Sequence, residues 1–121
     1  MYIIKKEFSF SASHLIHGLP DTHPCSRLHG HNYRVEVVLG SDTLDSVGFV
    51  RDYRELGAFK DYLDQNLDHR HLNDVLGDEN VTAERMAKLF YDWCRSRWPE
   101  VCAVRVSETP KTWAEYRAEH E

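Results

Sequence analysis

Residues 29–39 alternate without a break. His31, Tyr33, Val35, Val37 and Leu39 fall on one side of an extended chain, and Asn32, Arg34 and Glu36 fall on the other. A period of two is the signature of a strand with one face buried and one face wet. Such a strand belongs in an antiparallel sheet that packs its apolar face against a second layer. Residues 2–13 extend the pattern, with Phe8 and Phe10 between Glu7, Ser9 and Ser11. The breakers Gly18, Pro20, Asp21 and Pro24 make 15–28 a loop, and a turn follows the second strand at Gly40-Ser41-Asp42. Gly48-Phe49-Val50 reads as a short extended piece.

The period then changes. Asp52 is a good N-cap for a helix over 53–66, with Glu55 three residues on as a capping box and Leu56, Phe59 and Leu63 as its apolar stripe. Residues 68–80 are polar and read as a loop. Thr82 caps a second helix that ends at Trp98, before Pro99, with Met86, Leu89, Phe90 and Trp93 as the expected buried stripe. Residues 101–108 and 112–117 return to the strand pattern, with Cys102, Val104 and Val106 on one face. The order is β-β-α-α-β-β. It predicts an α+β fold, a four-stranded antiparallel sheet with two helices on one face, in one domain over 1–121. The sheet has two open edges, which a second copy of the chain can cover.

The chain has 121 residues and a formal net charge of −5, which argues against a broad nucleic-acid footprint. No stretch reaches the ~20 apolar residues of a membrane span. The first seven residues lack the basic and apolar regions of a signal peptide, so the expected home is the cytoplasm. The three cysteines, Cys25, Cys94 and Cys102, form no disulfide framework. Cys94 and Cys102 read as core residues.

Histidine is the unusual residue. Five of the eight lie between positions 14 and 31. In a strand, His29 and His31 point to the same side, with only Gly30 between them. His14 ends the first strand, so pairing of the two strands brings it alongside. Three neutral imidazoles with a fourth position open is a catalytic zinc arrangement. The alternative is three unrelated surface histidines. His17 and His23 read as solvated, or as supports behind the site, and His120 as part of an inert tail. Cys25 lies four residues before His29 and beside Arg27. It reads as a thiolate base, as a fourth metal ligand, or as a plain loop cysteine. Asp68 beside His69 is either an acid–base pair or a polar helix end. Glu108 is either a strand-end carboxylate that accepts N–H donors from a heterocycle or a solvated glutamate.

Taken together, six ordered pieces resemble the 6-pyruvoyl-tetrahydropterin synthase family. They are Phe10-Ser11-Ala12-Ser13-His14; Cys25 with His29-Gly30-His31-Asn32-Tyr33; Gly48-Phe49-Val50-Arg51-Asp52-Tyr53; Leu67-Asp68-His69-Arg70-His71-Leu72-Asn73; Thr82-Ala83-Glu84; and Glu108-Thr109-Pro110. The resemblance implies the tunnelling fold, assembled as a homohexamer of two stacked trimers with active sites between subunits. It implies Zn2+ on His14, His29 and His31, and Cys25 as the residue that takes a substrate proton. Asp68 and His69 would form the relay, Glu108 would anchor the pterin ring and take part in the relay, and Thr82 would contact the pterin.

The implied substrate is 7,8-dihydroneopterin triphosphate. The three-residue gap between Cys25 and His29 favours the carbon–carbon lyase branch of the family, which makes 6-carboxy-5,6,7,8-tetrahydropterin, acetaldehyde and triphosphate for queuosine or 7-deazapurine biosynthesis. The alternatives are the branch that only eliminates triphosphate and a non-catalytic zinc- and pterin-binding relative. Val81 stands where bacterial relatives often carry proline, and Ala83 lacks a second hydroxyl after Thr82. Arg27, Arg70 and Lys111 are the positional candidates for the triphosphate.

Overall fold

The computed structural model describes residues 1–77 and 80–119. The expected tail residue His120 lies outside them. Strand β1 is Tyr2–His14 and strand β2 is His29–Ser41. They pair antiparallel along their whole length, from Tyr2 opposite Ser41 to His14 opposite His29. Helix α1 is Gly57–Asn66, α2 is Leu72–Leu76 and α3 is Ala83–Arg97. Strands β3 (Val101–Thr109) and β4 (Thr112–Arg117) complete one antiparallel sheet in the order β1-β2-β3-β4. The ββααββ order and the four-stranded sheet are as the sequence predicts. No helix among the described residues is long and apolar enough to cross a membrane.

The alternating faces fall as expected. Tyr33, Val35, Val37 and Leu39 of β2 join Phe8, Phe10 and Ala12 of β1 in one core with the helices. Phe59 of α1 stands edge-on to Phe8 and Phe90, at 5.1 and 5.5 Å between centroids. Leu56, Leu63 and Leu67 are buried with it. The opposite face of the sheet is a polar lattice. Arg34 binds Glu7, and Arg105 bridges Glu36 and Glu115.

Several local expectations are corrected. The first helix starts as a 3-10 turn at Tyr53–Leu56 and becomes α-helical only at Gly57. Asp52 does cap it, accepting the Arg54 N–H, but Glu55 turns to Arg51 and so does not close the capping box. Gly48-Phe49-Val50 forms no strand. Residues 72–76 of the expected loop form α2, because buried Leu72 anchors one turn of helix. Gly77, in the left-handed conformation at φ 63°, ends it.

The buried face of α3 is Met86, Ala87, Phe90, Tyr91 and Cys94, while Leu89 is 38% exposed. The helix is turned further toward β4 than an apolar-only stripe predicts, and Tyr91 packs on Tyr116. Cys102 is half-buried and not a core residue. Val38 pairs with Ala103 and Leu39 with Val101, so Cys102 is the extra residue of a β-bulge.

The two candidate stripe positions separate cleanly by mutation. Phe59→Ala should cost about 3–5 kcal/mol, and Leu89→Ala well under half of that, by urea unfolding. Equal losses would mean that α3 faces the sheet as the simple stripe predicts.

Candidate metal centre and adjoining clefts

The β1–β2 register builds the site. His14 is the last residue of β1 and lies opposite His29, while Ala12 lies opposite His31. Because His29 and His31 are two apart, their rings stand side by side on the face where His14 arrives. Ring centroids are 4.5 Å apart for His14 and His29, 5.1 Å for His14 and His31, and 4.7 Å for His29 and His31. The three can each offer one nitrogen within 4.8 Å of the others.

Backbone carbonyls set the tautomers. His14 Nδ1–H donates to the Val81 carbonyl at 2.7 Å, and His29 Nδ1–H donates to the Arg27 carbonyl at 2.6 Å. Each ring then presents an unprotonated Nε2. A main-chain acceptor on Nδ1 is the usual support of a metal-bound imidazole. His14 Nε2 and His31 Nε2 are buried without a hydrogen-bond partner. Burial also lowers the pKa values of His14 and His31, opposed by the Val81 hydrogen bond at His14 and by the charge of Glu108 at both. For these two rings the shift favours the neutral form, which binds a cation. The donor set fits a divalent metal that accepts nitrogen ligands, with zinc chief among them.

Cys25 sits in a 3-10 turn, Pro24–Ser26, between β1 and β2. Its N–H donates to His23 Nδ1 at 3.1 Å, and its carbonyl accepts the Ile16 N–H at 2.9 Å. His23 is exposed and caps the turn that carries Cys25. Among the described residues the metal-capable cluster is the three histidines, and the half-buried Cys25 thiol is not in it. His17 is exposed.

The Asp68–His69 pair is held at the edge of β1. Asp68 Oδ1 accepts the Ser11 N–H at 2.8 Å and lies 3.0 Å from His69 Nδ1. The His69 N–H donates to the Ser11 carbonyl at 2.6 Å, and the Ser13 N–H to the Arg70 carbonyl at 3.1 Å. His69 adopts φ 60°, a left-handed backbone that turns the chain onto that edge. Its side chain is 79% exposed. A cleft of about 440 Å3 is lined by Ser11, Ser13, His31, Asn32, His69 and Arg70 among others, but not by Cys25. His69 and the metal-capable His31 therefore share one cleft.

Glu108 lies near the end of β3. Its Oε2 is 3.7 Å from His31 Nε2, and it lines a second cleft with Ala83, Glu84, Thr112 and Trp113. Thr82 does not line that cleft. Its hydroxyl accepts the Arg85 N–H and so caps α3. Arg27, Arg70 and Lys111 are all exposed, and Arg70 donates to the Gln65 carbonyl. The residue that the site reading of the sequence passed over is Tyr33. It lies fully buried on the core face of β2, but its hydroxyl has no partner. Burial, and then the charge of Glu108, push its phenol far above the ordinary range. Its position two residues beyond His31 on one strand face is the signal that places it beside the site.

The family model described as 6-pyruvoyl tetrahydropterin synthase matches residues 3–119. The chain belongs to the 6-pyruvoyl tetrahydropterin synthase family. A 6-carboxy-5,6,7,8-tetrahydropterin synthase from Synechocystis is 42% identical, covering 96% of this chain and 93% of its own. The enzyme of the same name from Bacillus subtilis is 32% identical, covering 94% and 84%. Among solved structures, the Caenorhabditis elegans 6-pyruvoyl tetrahydropterin synthase superposes with a TM-score of 0.84 at 25% identity, covering 98% of this chain and 96% of that one. Membership of this family fits the three-histidine cluster and the four-stranded sheet, and relatives on both the carboxy and the pyruvoyl side lie within reach.

The lowered pKa values give a sign for the metal-free protein. The unfolded chain takes up protons at His14 and His31 near their ordinary value of 6.5, whereas the folded site resists them. Below that pH the unfolded state binds more protons, so stability is lost as pH falls. Urea unfolding of metal-free protein should show this decline between about pH 7 and about pH 5.5, above the range where most carboxylates titrate. A flat profile there would mean that the two rings are protonated as readily in the fold as in the unfolded chain.

Proposed function

We propose that this chain is a zinc-dependent carbon–carbon lyase. It would convert 7,8-dihydroneopterin triphosphate and one water into 6-carboxy-5,6,7,8-tetrahydropterin, acetaldehyde and triphosphate, a step of queuosine or 7-deazapurine biosynthesis. One observation carries the reading. Three imidazoles converge, two of them with Nδ1–H tied to main-chain carbonyls, so that the opposite nitrogens are free to bind a metal. The relatives named 6-carboxy-5,6,7,8-tetrahydropterin synthase support the choice of branch. His14, His29 and His31 would hold the metal.

When bound, zinc supplies Lewis acidity to oxygens of the substrate's side chain. The remaining work belongs to this chain. Cys25 takes a proton from the substrate side chain as a thiolate. His69, oriented through Nδ1 by the Asp68 carboxylate, moves a second proton. Glu108 accepts N–H donors of the pterin ring and holds it against the metal centre, and the N-terminal turn of α3, capped by Thr82, borders the ring through Ala83 and Glu84. Cys25 and His69 lie on separate segments, which suits a site completed between subunits of a homohexamer. The protein would work as a single cytoplasmic domain.

Product analysis of zinc-loaded protein given 7,8-dihydroneopterin triphosphate under reducing conditions tests the reading. A carboxy-tetrahydropterin with acetaldehyde is the expected result. A pyruvoyl product that keeps all three side-chain carbons would move the chain to the elimination branch, and unchanged substrate would leave a binding protein. Cys25→Ala should keep its zinc and lose turnover by at least about 100-fold. Loss of zinc from that variant would instead make the thiol a metal ligand.

A further inference from the structure

Among the described residues, the buried side-chain polar atoms without a hydrogen-bond partner are His14 Nε2, His31 Nε2 and the Tyr33 hydroxyl. All three belong to one place. The Tyr33 ring stands edge-on to His14 and His31, at 5.7 and 5.5 Å between centroids, and is stacked on Phe10 at 4.9 Å. A metal ion satisfies the two imidazole nitrogens, because each offers a lone pair. It does not satisfy a phenol O–H, which needs an acceptor. A fully buried donor left unpaired is costly, so its partner is to be sought in the loaded site.

The end of the β2–β3 ladder supplies one. β2 and β3 pair at Val35 with Val106 and at Arg34 with Ser107, where the ladder ends. β3 then shifts register against β4 between Val106 and Thr109, so Glu108 is placed by its contacts. The Tyr33 ring lies 5.5 Å from the His31 ring, and Glu108, which lines a cleft with Val106, brings its carboxylate to the same imidazole, so the two side chains flank His31. Glu108 now leans on His31, with Oε2 3.7 Å from Nε2. Once a metal takes the Nε2 lone pair, that nitrogen carries no hydrogen to offer the carboxylate. The buried donor that remains at this end of the site is the Tyr33 hydroxyl, and the Glu108 charge already bears on that phenol.

We propose that Tyr33 is a positioning residue, whose hydroxyl donates to the Glu108 carboxylate in the metal-loaded site and fixes the orientation in which Glu108 receives the pterin ring. This rests on the proposed role of Glu108 as the pterin anchor. Tyr33 itself touches no substrate. It acts through Glu108, so its effect must vanish when the Glu108 side-chain acceptor is removed.

Four zinc-loaded proteins test this: the parent, Tyr33→Phe, Glu108→Ala and the double variant. Each is titrated with neopterin, followed by its fluorescence, and each metal-free form is melted. Tyr33→Phe should bind neopterin about tenfold more weakly with its zinc content unchanged. In the Glu108→Ala background the same change should alter affinity less than about twofold. Metal-free Tyr33→Phe should melt no lower than the parent, since it loses only an unpaired hydroxyl.

Unchanged affinity in Tyr33→Phe overturns the proposal. So does an equal loss in both backgrounds, which would be a packing effect. A metal-free melt well below the parent overturns it too, because the hydroxyl would then have a partner without the metal. If the zinc-loaded parent binds no neopterin, the pterin reading fails and this inference goes with it.

Discussion

The pairing of β1 with β2 governs everything that this chain can do chemically. One register sets the apolar residues of both strands on the helix side and sets His14 beside His29. A slip by one residue would turn Phe8, Phe10 and Ala12 out to solvent and would carry His14 to the wrong face. Core packing and the metal-capable cluster are thus two readings of one alignment. The aromatic contacts of Phe8 and Phe10 hold the register, and the histidines inherit it.

A second tie connects this hairpin end to the helical layer. The Val81 carbonyl that accepts His14 Nδ1–H lies just before α3, and Thr82 then caps that helix. The start of α3 is therefore fixed to the sheet at the point where the imidazoles meet. On the other side, the main-chain bonds between Ser11, Ser13 and residues 69–70 lock the Asp68–His69 segment to the outer edge of β1. The site is framed mostly by backbone, with side chains projecting from a scaffold that sheet and helix bonds already hold rigid.

That framing explains what could be read from the residues and what could not. Strict alternation over 29–39 made β2 legible, and the change to helical spacing after Asp52 made α1 and α3 legible. The pair His29 and His31 was visible because strand geometry leaves i and i+2 no choice of side. His14 followed from its place at the end of a neighbouring strand. The capping role of His23 and the supports from Val81 and Arg27 were not legible, because main-chain partners leave no mark on residue identity. The turn of α3 toward β4 was missed because Tyr91 and Ala87 lie outside a stripe chosen by hydrophobicity alone. Cys102 was misplaced because a bulge shifts the face count by one, and no residue at 101–103 announces it. Tyr33 falls on the buried face of the second strand, but its place there does not reveal that its hydroxyl lacks a partner.

The apolar core of this protein lies along Phe8, Phe10, Val35, Val37 and the helix faces, and the fully buried His14 borders it through Tyr33. The walls around the histidines are thus held by apolar contacts and sheet bonds. A zinc finger gains its architecture from its ion, whereas here the ion would enter a chamber that the hydrophobic collapse has already shaped. Such a chamber can be emptied, refilled or charged with a different divalent ion while the scaffold stands. The cell's supply of metal would then set how many copies are competent without setting how many are folded.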